Sequence, residues 1–197
     1  MNLLRYFGFS TSRRKKVFVS YSSIENLLAN HFGDWLKTKL SVDCFCGELP
    51  EAIDAGTDWY ERITEAAGES DECLLLLSPD SLHKGWIHFE AGVALGASIR
   101  KTSSSQLTVE ELKQKGRNIV PVLYGGILMD DIPSNMSRFQ CLDLMNKAKF
   151  DTFAQRINRG SVLRANFHDD FVNSMSSAVK HQLLHGGSSL VQAGDEI

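Results

Sequence analysis

The sequence lacks any excess of positive charge: 21 Lys and Arg stand against 24 Asp and Glu, a formal net charge of -3, and the pI is near 6.1. Binding to a phosphate backbone relies on concentrated Lys and Arg, so composition offers no case for nucleic acid as a partner. The one basic cluster, Arg13-Arg14-Lys15-Lys16, is of the kind that flanks a first strand. Long apolar runs are lacking as well. Met1 to Phe9 is apolar but too short to span a bilayer, and no small-residue cleavage site follows a long apolar core. A cytoplasmic protein without a membrane partner is the expectation. Cysteine is sparse, and Cys44, Cys46, Cys73 and Cys141 fall in strand-like segments without metal-ligand spacing. Cys44 and Cys46 point both sulfurs to one face of a strand, which suits reduced packing thiols better than a disulfide framework. His31, His83 and His88 show neither HExxH nor paired-ligand spacing, so no metal site is expected. Internal repeats are missing too.

What is present is apolar material for one core. At 197 residues, 43% hydrophobic and 23% charged, the chain suits a single domain with tails and is too short for two ordinary ones. Val17-Phe18-Val19-Ser20 reads as a strand, followed by a helix from Ile24 to Leu40 on which Leu27, Leu28, Phe32, Trp35, Leu36 and Leu40 recur at helical steps. Asp43 to Cys46 reads as a second strand. It leads into a loop from Gly47 to Gly56, where Pro50, Asp54 and Gly56 are turn-forming. Thr57 caps a helix that turns Trp59, Ile63 and Ala67 inward. Cys73 to Leu77 is a continuous apolar run, as expected of a central parallel strand.

After Ser78-Pro79 the pattern predicts a helix bearing Trp86 and Glu90. Asn118 to Tyr124 reads as a fourth strand whose Pro121 places it near an edge, and Arg138 to Leu144 as a weaker fifth. Lys147 to Arg159 and Phe167 to Leu184 read as terminal helices. The division expected is an N-terminal arm at 1–14, one domain at 15–185 with a surface insertion at 101–117, and a flexible tail at 186–197.

Strands alternating with helices imply an α/β fold, a flavodoxin-like doubly wound five-stranded parallel sheet with helices on both faces and strand order 2-1-3-4-5. Ligands in such sheets sit beyond the carboxyl ends of the strands where the order reverses, here between strands one and three. Ser20 to Ser23 and Ser78 to Glu90 reach that crevice, and the loop at 47–56 is able to fold over it. Trp86 and Glu90, four apart, share one helix face, a flat aromatic beside a lone acid. That pairing suits holding a planar ring and stabilising a developing cation.

Four motifs stand in order on these elements. Val17-Phe18-Val19-Ser20-Tyr21-Ser22-Ser23 resembles the opening motif of Toll/interleukin-1 receptor (TIR) domains, and Leu74 to Pro79 followed by Trp86-x-x-x-Glu90 resembles the segment carrying their catalytic glutamate. Asn118 to Leu123 is similar to their fourth strand, and the loop ending Ile53-Asp54-Ala55-Gly56 to their BB loop. Trp86 to Gly92 looks especially like bacterial members, and the resemblance covers roughly residues 15 to 160.

The resemblance implies cleavage of NAD⁺ between nicotinamide and ribose, giving nicotinamide and ADP-ribose or a cyclic isomer. NAD⁺ is then the substrate and no cofactor is needed. Nicotinamide is a good leaving group, so the protein has mainly to stabilise an oxocarbenium-like ribose, the role assigned to Glu90. The departing pyridine needs no general acid. By the same resemblance Trp86 walls the nicotinamide end, Ser22, Ser23 and Asp54 contact the nucleotide, and Tyr21 and Trp59 are further candidates. Serines stand where some relatives have basic residues after the opening motif, which leaves the pyrophosphate to backbone N–H groups at a helix N-terminus.

Expected partners are NAD⁺, further copies of the chain through TIR–TIR contacts, and a separate effector or activator protein, in bacterial anti-phage defence. A competing reading is an adaptor that assembles without turnover, since one fold hosts both roles. A deoxyribosyltransferase-like exchange also uses a glutamate but explains the 47–56 loop less well.

Overall fold

A computed structural model describes residues 13–49, 65–85, 92, 119–134, 136–137, 139–158 and 166–186. Strand β1 spans Lys16–Ser22, α1 Asn26–Leu40, β2 Asp43–Leu49, β3 Glu72–Leu77, β4 Ile119–Leu123 and β5 Leu142–Asp143. Three helices follow: α2 at Lys147–Asn158, α3 at Phe167–Asn173 and α4 at Ser177–His185. The strands form one sheet in the order β2-β1-β3-β4-β5, and every pair is parallel. This is the flavodoxin-like doubly wound order expected from the alternation of elements.

The sheet sorts its side chains by the two-residue period of a strand. Val17, Val19, Tyr21, Leu74, Leu76, Val120, Val122 and Tyr124 share one core with α1, α2, α3 and α4. Phe18, Cys73, Leu75, Leu77, Ile119 and Leu123 share the other with Ala67, Ile132, Met136 and Phe139. Leu74 to Leu77 are each 0% exposed, which is why β3 reads as an unbroken apolar run.

The outline differs from the sequence reading in local ways. Strand β2 continues through Gly47, Glu48 and Leu49, because β1 itself runs to Ser22 and offers Ser20, Tyr21 and Ser22 as partners. The loop therefore does not begin at Gly47. Pro121 pairs with Leu75 and precedes the first β4–β5 partner, Val122↔Leu142. Its missing N–H falls outside that two-residue edge ladder, and β4 is next to the edge rather than on it.

Leu27 is 44% exposed, outside the buried stripe of α1. The single helix expected from Phe167 to Leu184 is two. Ser176 breaks it, taking an extended backbone and accepting a hydrogen bond from Val179 N as the cap of α4. The arm at 1–12, the insertion at 101–117 and the tail from 187 lie outside the described residues, as do Trp59, Ile63 and the Thr57 cap.

The basic run at the start of β1 is taken up by the fold. Arg13 pairs with Asp71, Arg14 with Asp43, Lys15 with Glu72 and Lys16 with Glu69. These cations anchor the amino edge of the sheet to neighbouring strands and to the helical segment at 65–69.

Candidate functional site

Beyond the carboxyl ends of β1 and β3 the chain gathers a buried polar cluster. Glu25 is 0% exposed, at the end of the 3₁₀ turn Ser23–Glu25 that follows β1. Its carboxylate accepts from the Ser22 backbone N–H at 2.9 Å, from Ser78 Oγ at 2.8 Å and from Ser81 Oγ. Ser78 and Ser81 are both 0% exposed, and the Ser78 N–H donates back to Ser81 Oγ at 3.0 Å. Burial raises the Glu25 carboxyl above its ordinary range, and the hydrogen bonds from Ser81, Ser22 and Ser78 pull it partly back.

Tyr124, just past β4, closes the cluster from the third strand. Its hydroxyl lies close enough to Glu25 and Ser78 for burial and the Glu25 charge to push its ionisation upward. No hydrogen bond of acceptable geometry reaches that oxygen, so it is near the carboxylate without being bonded to it. The backbone is equally crowded there. Gly125 takes φ +68°, and a Cβ on it would meet Gly186 N at 3.0 Å and Pro79 Cδ at 3.1 Å. Turns after β3, β4 and α4 thus converge over one point of the sheet edge.

Among the described residues one cation reaches this edge. Lys84 Nζ donates to Ser22 Oγ at 2.9 Å, joining the segment after β3 to the end of β1. Lys84 is exposed while Ser22 is 3% exposed. The ammonium, and not the hydroxyl it covers, is the group open to an incoming anion.

The sequence-predicted residues divide accordingly. Ser22 and Ser23 stand at the strand-order reversal. Tyr21 is 3% exposed and packs in the core with α1. Asp54, Trp59, Trp86 and Glu90 lie outside the described residues. Lys84, Glu25, Ser78, Ser81 and Tyr124 were missed. Glu25 had a signal, since Ser22-Ser23-Ile24-Glu25 has the S-x-x-E spacing of a capping box, in which the acid reaches back to the cap N–H. Lys84 had none, because only the fold carries it to Ser22 across 62 residues.

An all-parallel sheet in this order, with polar groups collected where the order reverses, defines a flavodoxin-like α/β protein, a fold that places ligands at the carboxyl edge of its strands. A model of the TIR domain matches residues 17–157, and the chain belongs to the TIR domain family. None of the curated proteins matches the chain. Among the described residues no helix is long and apolar enough to cross a membrane.

Proposed function

We propose that this TIR domain cleaves NAD⁺ at the nicotinamide–ribose bond, releasing nicotinamide and leaving ADP-ribose or a cyclic isomer. The observation that carries the reading is Lys84 on Ser22 at the switch point, one residue before the segment at 85–92 that holds the family's tryptophan–acid pair. It supplies the cation that the opening motif lacks. In this reading Lys84 meets the pyrophosphate, Ser22 and Ser23 border the nucleotide with Asp54, and Trp86 walls the nicotinamide. Glu90 stabilises the ribose as positive charge develops at its anomeric carbon. Tyr21 packs in the core beneath this edge, and Trp59 is a further candidate for contacting the nucleotide. NAD⁺ is consumed as substrate, so no resident cofactor is called for.

The setting that fits is a cytoplasmic bacterial defence enzyme of the NAD⁺-cleaving TIR type, working as an assembly of copies with a separate activator or effector. The test is nicotinamide release from NAD⁺ by purified protein, with products resolved by mass spectrometry. Glu90→Ala should abolish turnover while leaving the circular dichroism unchanged. Equal turnover by that variant would remove Glu90 from the chemistry. A wild-type protein silent at high concentration, under crowding and with a partner, would make the chain a TIR adaptor instead.

A further inference from the structure

The thiols of Cys44 and Cys46 form a second candidate site, on β2 and away from the Ser22–Lys84 edge. The two residues pair with Val17 and Val19 of β1, so their side chains project from the same face of the strand. Their sulfurs stand 4.0 Å apart, both half-buried and both unoxidised. Helix α1 passes over them at Gly33, where a Cβ would lie 2.3 Å from Cys46 Sγ and 3.7 Å from Cys44 Sγ. A glycine at that helix position is what leaves the sulfurs room to sit side by side. Across the strand, Phe45 stacks on Phe18 with centroids 5.8 Å apart and holds β2 in place.

We propose that Cys44 and Cys46 chelate one soft monovalent d¹⁰ ion, copper(I) being the natural case. With metal–sulfur bonds of about 2.3 Å, two thiolates on one ion lie about 3.8 Å apart at a tetrahedral angle and about 4.6 Å apart when linear. The observed 4.0 Å falls between these, about 0.6 Å short of the linear separation, so a two-coordinate ion is seated by spreading the two thiols and not by drawing them together. A disulfide, by contrast, requires the sulfurs to close to about 2.05 Å, against the spread that an extended strand imposes on i, i+2 side chains. Among the described residues no third His, Cys, Asp or Glu joins the pair in a metal-holding group. Two soft thiolates suit a low-coordinate copper(I) ion, whereas zinc takes four ligands.

Binding is ligand exchange without redox change: two thiols and Cu⁺ give a bis-thiolate anion and two protons released to solvent. Lys37 lines the same cavity of about 660 Å³ as Cys44, and its charge is shared with Asp34, 3.5 Å away, which acts on both thiols as well.

The test is anaerobic titration of the intact chain with copper(I) buffered by a colorimetric chelator. One ion per chain should be retained, with two sulfur neighbours in its X-ray absorption spectrum. Cys44→Ser and Cys46→Ser should each weaken retention about 100-fold or more, since each turns a chelate into a single ligand. Cys141→Ser should leave it unchanged, with circular dichroism confirming the fold of every variant. Retention by the Cys44→Ser/Cys46→Ser double variant equal to wild type would overturn the proposal. So would a wild-type chain that takes up no copper(I).

Discussion

Glu25 shows how one residue ties two strand ends together. Its carboxylate collects a backbone N–H from the end of β1 and two hydroxyls from the turn after β3. Leaving a buried donor unpaired costs about 1–3 kcal/mol, so Glu25→Ala should destabilise the fold by roughly 3 kcal/mol or more in denaturant unfolding. Glu25→Gln, which keeps the shape and one acceptor oxygen, should cost clearly less. The pH dependence has a definite sign. Burial lifts the folded-state Glu25 above its ordinary value of 4.5, so its contribution is complete below 4.5 and is lost as pH rises through the folded value. The melting temperature of wild type relative to Glu25→Gln should therefore fall as pH rises above 4.5, and a constant difference would refute the shift. Lys84 makes the second prediction at this scale. If its ammonium binds the pyrophosphate, Lys84→Met should raise KM for NAD⁺ about 10-fold or more with kcat little changed, the loss of one charge-assisted hydrogen bond. An unchanged KM would place Lys84 outside the substrate site. Glu25 was legible as an acid three residues after a serine; Lys84 was not, because its partner is distant in sequence.

At the scale of elements, periodicity was enough wherever burial is one-sided or complete. The apolar run Cys73 to Leu77 became β3 because both of its faces are covered. Helix α1 carries Phe32 and Trp35 into an aromatic cluster with Phe150 of α2 and Phe171 of α3. Trp35 Nε1 is satisfied there by Asp170 Oδ2 at 2.9 Å. Phe171 is 0% exposed and touches rings from both other helices, so Phe171→Ala should cost about 3–5 kcal/mol by chemical denaturation. A cost below about 1 kcal/mol would show that the three helices pack without it. Element ends were less legible. The extension of β2 to Leu49 depends on a partner strand that local pattern does not reveal. The break between α3 and α4 is made by a serine cap inside an otherwise continuous helical pattern. Gln182 shows the same limit. Its side chain accepts from Leu28 N at 2.6 Å and so satisfies a backbone donor in the first turn of α1, 154 residues away.

Across the whole molecule the two edges of the sheet differ in kind. The amino edge is closed by ion pairs, with Glu72 holding both Lys15 and Arg156, while the carboxyl edge gathers Glu25, Ser78, Ser81 and Lys84. A proposed enzyme whose pocket is completed by a neighbouring copy should lose specific activity on dilution. NAD⁺ turnover per chain should therefore rise with protein concentration in parallel with assembly measured by light scattering. Specific activity independent of concentration would make each copy self-sufficient. The sequence by itself determined the fold class and the strand order. Those follow from hydrophobic period and from the parallel winding that alternating elements impose. Only the tertiary structure decided that Lys84 rests on Ser22, that Glu25 is buried among serines, and that Gly33 of α1 lies over the two cysteine sulfurs. Each of these depends on distances between segments far apart in the chain, which packing sets and local pattern does not encode.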